Sequence, residues 1–212
     1  MVFKLDTSGR ETVLHSFTGG TDGGEPEAGV IRDSGGNLYG TTFSGGAAGA
    51  GVVYMLSPSG QETVLYSFAG FGAAGNPYAG VVRDPAGNLY GTTVNGGTTS
   101  SGGAGEGVVF EVDAAGTYSV LYTFTGGADG GVPFMGVVRD PAGNLYGATS
   151  SGRGVVYEIG PSGQFTVLYA FAGGRDGDAA TASLMLAPAG DIYGPAYGGS
   201  SDGGLLFKLT LQ

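Results

Sequence analysis

Short apolar runs alternate with glycine-rich polar stretches along the whole chain, and four kinds of run recur in a fixed order. The first is "GVIRD" or "GVVRD", at Gly29–Asp33, Gly80–Asp84 and Gly136–Asp140. The second is "NLYGTT", at Asn37–Thr42 and Asn88–Thr93, and as "NLYGAT" at Asn144–Thr149. The third appears as "VFKL", "VVYML", "VVFEV", "VVYEI" and "LLFKL". The fourth appears as "TVLHSF", "TVLYSF", "SVLYTF" and "FTVLYAF". All are rich in Val, Leu, Tyr, Phe and Thr and are bounded by Gly, Pro, Asn and Asp. Those are strand signals, and no segment sustains a helical period over about ten residues.

The runs repeat as a block. Tyr39, Tyr90, Tyr146 and Tyr193 are equivalent, with spacings of 51, 56 and 47 residues. Four short strands in a unit of about 50 residues predict a β-propeller blade. By analogy with other propellers, the strands are named A to D from the channel outward, starting at "GVVRD". The chain then reads C-D, three times A-B-C-D, and finally A-B-C. The expected fold is all-β, a single domain over residues 1–212 with repeat units 1–27, 28–78, 79–134, 135–181 and 182–212. Pairing of the N-terminal D strand (Thr12–Phe17) with the C-terminal A-B-C set would close four blades of four antiparallel strands and leave no open edge. The C-type strand occurs five times, however, so one copy is surplus. Five blades, or a ring or filament closed between chains, are the alternatives.

Composition narrows the function classes. Glycine reaches 47 of 212 residues without a G-X-Y period, which excludes collagen. A hydrophobic fraction of 41% argues for a packed core. The net charge is −10 and the eight basic residues are scattered, which argues against nucleic acid as a partner. With no cysteine and one histidine, His15, neither a thiolate zinc site nor a multi-histidine site can form within the chain. No apolar run approaches the ~18 residues of a membrane span. Met1 directly precedes a repeat element, so the chain is expected to have been trimmed from a longer precursor and its missing signal peptide says nothing about location.

The pieces "VFKL", "TVLHSF", "GGTDGGEPEAG" and "GNLYGTT", in that order, resemble the GloVer tandem-repeat proteins of bacteria, over nearly the whole chain. The fourth copy departs from the pattern: Leu186 and Ala187 replace Arg-Asp, and Pro195 interrupts "YGTT". The resemblance implies a glycine-rich, extracellular or cell-surface repeat scaffold. It supplies no catalytic residues.

Positions alike in every copy serve the shared fold; positions that differ are free to serve a site. Tyr39, Tyr90, Tyr146 and Tyr193 are therefore read as core with satisfied hydroxyls. Phe17, Phe68, Phe124 and Phe171 should pack between blades. His15, equivalent to Tyr66, Tyr122 and Tyr169, is read as an outer-strand ring with a wet polar tip. Arg32, Arg83 and Arg139 are expected to pair with the adjacent Asp33, Asp84 and Asp140, in preference to gripping an anionic ligand. Asp22, Asp129 and Asp176 are expected to form loop turns. Calcium is the one cofactor considered, with Asp176 and Asp178 as its weak candidate ligands.

The variable places fall in the D–A and B–C loops, which share one face in this strand order. They supply Glu25 and Glu27, Asn76 and Tyr78, Phe134, Asn95, Glu106, Arg153, Tyr197 and Asp202. Candidate ligand-binding residues are Glu25, Glu27, Asn76, Tyr78, Phe134, Arg153 and Tyr197, at the mouth of the channel. Aromatic faces beside planar polar groups suit sugars. The leading expectation is a non-enzymatic extracellular scaffold or binding module that takes a glycan or cell-surface ligand, or self-assembles into a homo-oligomer through its terminal strands. The alternative is a carbohydrate-active hydrolase or lyase, for which Glu27 with Glu106 is the only carboxylate pair worth testing.

Overall fold

The computed structural model describes residues 1–70, 72–97, 105–199 and 203–211. Strands β1 (Val2–Leu5) and β2 (Glu11–His15) form a hairpin. The first complete blade is β3 (Ile31–Arg32), β4 (Leu38–Thr42), β5 (Val52–Leu56) and β6 (Glu62–Ser67). After β7 (Ala74–Gly75) come β8 (Val82–Arg83), β9 (Leu89–Thr93), β10 (Asn95–Gly96), β11 (Val108–Val112) and β12 (Tyr118–Thr123). Of these, β8-β9-β11-β12 make the second blade, while β7 and β10 clasp its loops. The third blade is β13 (Val137–Arg139), β14 (Leu145–Ala148), β15 (Val155–Ile159) and β16 (Phe165–Ala170). Last come β17 (Asp178–Ala180), β18 (Met185–Leu186), β19 (Ile192–Tyr197) and β20 (Leu205–Leu209). Here β17 and β18 share one edge of β19, and β20 takes the other. Every pairing between these strands is antiparallel, and the inner strands β8, β13 and β18 approach one another, which places the A strands at the centre.

The repeated motif has a steric logic. In all four A-B-C sets the glycine of "YG" lies opposite the aromatic of the C strand: Gly40 with Tyr54, Gly91 with Phe110, Gly147 with Tyr157, Gly194 with Phe207. A Cβ on Gly91 would stand 2.6 Å from Phe110 Cζ, and one on Gly40 would stand 2.6 Å from the Tyr54 hydroxyl. The ring lies across the glycine, so the motif needs a residue without a side chain there. The C–D pairs also bulge at one place, between Val2 and Phe3, Val53 and Tyr54, Val109 and Phe110, and Val156 and Tyr157. Such bulges increase the local twist.

Core clusters sit between successive units, one at each junction. The hairpin meets the first blade through Val2, Leu14 and Phe17 against Tyr54 and Leu56. Val53 and Phe68 pack on Phe110 at the next junction, Val109 and Phe124 on Tyr157 at the third, and Val156 and Phe171 on Ile192 and Phe207 at the fourth. Phe68, Phe124 and Phe171 are buried as expected, and Phe17 is half-buried.

Tyr157 breaks the pattern in one respect. Its ring is buried and its hydroxyl has no hydrogen-bond partner, whereas Phe110 and Phe207 stand at equivalent places without a hydroxyl. Leaving a polar group unsatisfied in a core costs about 1–3 kcal/mol. Tyr157→Phe is therefore expected to raise the thermal midpoint, measured by calorimetry.

The expected Arg–Asp pairs are not what the A–B turns contain. Asp33 accepts from the Asn37 backbone and side-chain amides at 2.9 Å and from the Tyr39 hydroxyl at 3.0 Å. Asp84 and Asp140 do the same with Asn88 and Tyr90, and with Asn144 and Tyr146. The Asn37 side-chain hydrogen bond holds the Asp33 carboxyl below its ordinary pKa. The arginines reach back one blade instead: Arg83 lies 5.4 Å from the Tyr39 ring centroid and Arg139 lies 5.8 Å from that of Tyr90. Each A strand ends at its arginine and the aspartate that follows opens the turn, so the two serve different partners.

Closure also differs from the leading expectation. Among the described residues β2 pairs with β1 and β20 pairs with β19, and no pairing joins β2 to β20. The surplus strand occupies the edge that would have closed the ring. A hairpin with a short connection costs little loop entropy, so the local partner wins over the one at the far end of the chain.

Candidate functional site

The D–A and B–C loops do share a face, and they are stitched together there. Gly24 bridges to Ser44, β7 pairs with β10, and β17 pairs with β19. The "GTT" sequence explains itself at this face. Its first threonine donates to the loop entering the following blade, Thr41 to the Ala79 carbonyl and Thr92 to the Pro133 carbonyl, both at 2.9 Å. Its second threonine holds its own B–C loop, with Thr42 donating to Ser44 O at 2.9 Å and Thr93 to Asn95 O at 2.7 Å.

Where the A strands converge, these loops surround a cavity of about 660 Å³. Glu27, Tyr78, Phe134 and Thr181 line it, one from the same place in each D–A loop. Ser150 and Tyr197 come from a second equivalent place, the residue after "TT" or its counterpart. Its remaining walls include Ala28 and Gly29, Ala79 and Gly80, and Ala182 and Ser183. The Tyr78 and Phe134 rings meet edge to face at 5.3 Å, and Phe43 stands edge-on behind Tyr78 at 6.1 Å. Phe43 is the counterpart of Ser150 and Tyr197. Among the described residues Glu27 is the one formally charged side chain on the wall. The surface is thus mainly apolar, with aromatic faces and loop hydrogen-bonding groups at its edge, suited to hold the flat face of an uncharged ligand.

The backbone under these residues is unusual. Glu25, Asn76 and Val132 have φ of 54°, 59° and 52°, the only positive values at non-glycine residues among those described. Each directly precedes Pro26, Pro77 or Pro133, and each sits two residues before a cavity-lining side chain. The corner is locked by hydrogen bonds, with the Asn76 amide donating to Ala50 O at 2.7 Å and the Val132 amide to Glu106 O at 2.6 Å. A branched residue in this conformation is strained by roughly 1–2 kcal/mol. Val132→Asn, which copies the second blade, is expected to recover about 1 kcal/mol, seen as a higher midpoint in urea unfolding.

The candidate residues separate into two groups. Glu27, Tyr78, Phe134 and Tyr197 come together at the cavity; Glu25, Asn76, Arg153 and Glu106 do not line it. Asn76 bridges two loops instead, donating to Phe43 O and accepting from Asn95 Nδ2, both at 3.0 Å. Arg153 lies on the outer loops, 4.0 Å from Asp178 and donating to the Ala172 carbonyl. Glu106 is tucked against Gly126 and Gly131, so the carboxylates Glu27 and Glu106 do not share one cavity. Asp202 lies outside the described residues.

The loop aspartates act as staples. Asp22 accepts from the Thr18 amide at 2.9 Å, Asp129 from the Thr125 amide at 2.9 Å, and Asp176 from the Ala172 amide at 2.6 Å. The outer-strand aromatic adds a contact: the Tyr122 hydroxyl donates to Asp129 at 3.0 Å, and Tyr169 donates to Asp176. His15 faces Asp22, with its Nε2 3.7 Å away and buried without a hydrogen-bond partner, so its tip is not in water. Asp176 and Asp178 point to different partners, and no cluster of three acidic or histidine side chains is placed to hold a metal among the described residues.

Ser150 and Thr181, which also line the cavity, and Phe43, which packs on Tyr78, were not among the sequence candidates. The signal for them was present, because Phe43, Val94, Ser150 and Tyr197 differ at one equivalent place, as do Glu27, Tyr78, Phe134 and Thr181.

Residues 1–152 and 97–212 each match the model of the Gloeobacter/Verrucomicrobia repeat. No curated protein sequence matches the chain. An X-ray structure of a protein assigned as a gluconolactonase superposes with a TM-score of 0.56 at 16% identity, covering 99% of this chain and 70% of the other. A luciferin-regenerating enzyme superposes with a TM-score of 0.52 at 16% identity, covering 86% of this chain and 60% of the other. At this identity the likeness shows a shared propeller-like fold. No helix among the described residues is long and apolar enough to cross a membrane.

Proposed function

The chain belongs to the Gloeobacter/Verrucomicrobia repeat family, and from that premise we propose that it is a non-enzymatic extracellular binding module for neutral saccharides, with its site at the channel mouth. One observation carries the reading. Two loop positions differ from copy to copy at the centre of this face, and six of those eight side chains line a single cavity. Tyr78, Phe134 and Tyr197 offer exposed aromatic faces for the apolar faces of sugar rings. Thr181 and the backbone of the A-strand starts supply polar groups at the cavity wall. A net charge of −10, with Glu27 on the wall, disfavours anionic glycans. Glycoside hydrolysis by two carboxylates needs a pair about 5–10 Å apart, and among the described residues Glu27 has no such companion on the wall.

The test is an array of neutral oligosaccharides probed with the wild-type chain and with Tyr78→Ala/Phe134→Ala. Stacking contributes about 1–3 kcal/mol per aromatic ring by alanine substitution in analogous ring-on-ring sites. The double variant should therefore lose at least tenfold in affinity while keeping its thermal midpoint. Retention of no glycan by the wild-type chain, or equal retention by the variant, would sink the reading. A reducing-sugar assay separates it from the enzyme alternative: release of sugar that disappears in Glu27→Gln would make the protein a hydrolase.

A further inference from the structure

The two ends of the chain carry open faces that complement each other. Val2-Phe3-Lys4-Leu5 and Leu206-Phe207-Lys208-Leu209 differ at one position, so β1 and β20 are nearly the same strand. The pairing of β1 with β2 copies the interior C–D pairs in register and bulge: Val2 faces His15 as Val53 faces Tyr66, and Phe3 faces Val13 as Tyr54 faces Val64. The hairpin therefore offers a C-strand position, and β1 fills it with Val2 buried and Phe3, Lys4 and Leu5 uncovered. Phe3 and Leu5 are 49% and 59% exposed, while their counterparts in the three complete blades are buried. At the other end Leu206 is 74% exposed, while its counterparts Val53, Val109 and Val156 are buried. Met185 and Val30 are likewise exposed at opposite ends of the arc.

The cation rule points the same way. Each interior junction sets an arginine over the tyrosine of the preceding blade, Arg83 over Tyr39 and Arg139 over Tyr90. Arg32 opens the first complete blade and has no such tyrosine before it in the chain. Tyr193 ends the series, and among the described residues the cation over it is Lys208 of its own blade, at 5.9 Å.

We propose that copies of this chain join head to tail, with β20 of one copy taking the place of β1 on β2 of the next. The exchange completes the last A-B-C set with a D strand. It buries Leu206 where Val2 lies, sets Met185 against Val30, and brings Arg32 of the second copy over Tyr193 of the first. Phe3 and Leu5 leave the blade with the displaced β1. Among the described residues β20 and β2 of one chain do not pair, which leaves the D position beside β20 to a second copy.

The absence of cysteine makes a direct test available. In the exchanged pairing Lys208 lies opposite Thr12, as Lys4 does in the hairpin. Chains carrying Thr12→Cys and chains carrying Lys208→Cys, mixed under mild oxidation, should yield a two-chain band on a non-reducing gel. Light scattering of the intact chain should give a mass above one chain that rises with concentration. Leu206→Asp should restore the one-chain mass with an unchanged far-ultraviolet spectrum, since its side chain touches no core. Deleting residues 1–5 should tighten the assembly by removing the competitor. A one-chain mass at every concentration, an internal crosslink when one chain carries both cysteines, or dissolution of the assembly by the deletion would each overturn the proposal.

Discussion

Gly91→Val will unfold the protein or lower its stability by more than about 3 kcal/mol, the upper end of what overpacking ordinarily costs. Even a single added carbon at Gly91 would meet Phe110 Cζ at 2.6 Å, Phe110 Cε1 at 3.0 Å and Val81 Cγ1 at 3.2 Å. Phe110 is itself buried between Phe68 and Tyr118, so its ring has nowhere to turn. A domain of this kind is stable by roughly 5–15 kcal/mol in total, so the loss is a large fraction. Urea unfolding followed by tyrosine fluorescence measures it. Gly49→Val serves as the matched control for space, because a Cβ there meets nothing within 4 Å. Gly49 has φ of 74°, however, so that control reports backbone strain alone. A smaller loss at Gly91 than at Gly49 would contradict the packing argument.

Phe124→Ala is the second large effect, at about 3–5 kcal/mol. The ring is buried and sits in a cage of Tyr122, Tyr157 and Phe165, with centroids 5.2, 5.2 and 6.0 Å away. Its deletion leaves a void that fixed strands on both sides cannot fill. The equivalent Phe17→Ala should cost distinctly less, because Phe17 is half-buried and packs on the first blade from a two-stranded hairpin. The same substitution at equivalent places therefore reads the difference between an interior junction and an end. Equal losses from the two, in parallel urea titrations, would mean that the hairpin is a full structural blade.

How far the chain could be read beforehand follows from where each partner lies. The strands themselves, their repetition and the burial of Phe68, Phe124 and Phe171 depend on local pattern, which is written in the sequence, whereas the order from channel to rim, and with it the shared loop face, came by analogy with other propellers. The partner of Arg83 is not local. Its tyrosine stands one repeat back, and the adjacent Asp84 is taken up by Asn88 and Tyr90 of its own A–B turn. Closure depended on a competition between two nearly identical strands, β1 and β20, and pattern alone does not rank them. Of the residues that comparing copies picks out, Glu27, Tyr78, Phe134 and Tyr197 line one cavity. Asn76 does not, because its corner position and two-sided amide serve to join neighbouring loops. Ser150 also lines the cavity, and its signal was the variation of one place after "TT" across the copies, Phe43, Val94, Ser150 and Tyr197.

The central claim is that the residues differing from blade to blade form one ligand site at the channel mouth. Chemical-shift mapping with the best-retained neutral oligosaccharide tests it most directly. The account predicts that amide shifts concentrate on Ala28, Gly29, Ala79, Gly80, Thr181 and Ser183, around the cavity wall. Shifts concentrated instead on the monotonous turns at the other face, around Gly36, Gly87 and Gly143, would contradict it.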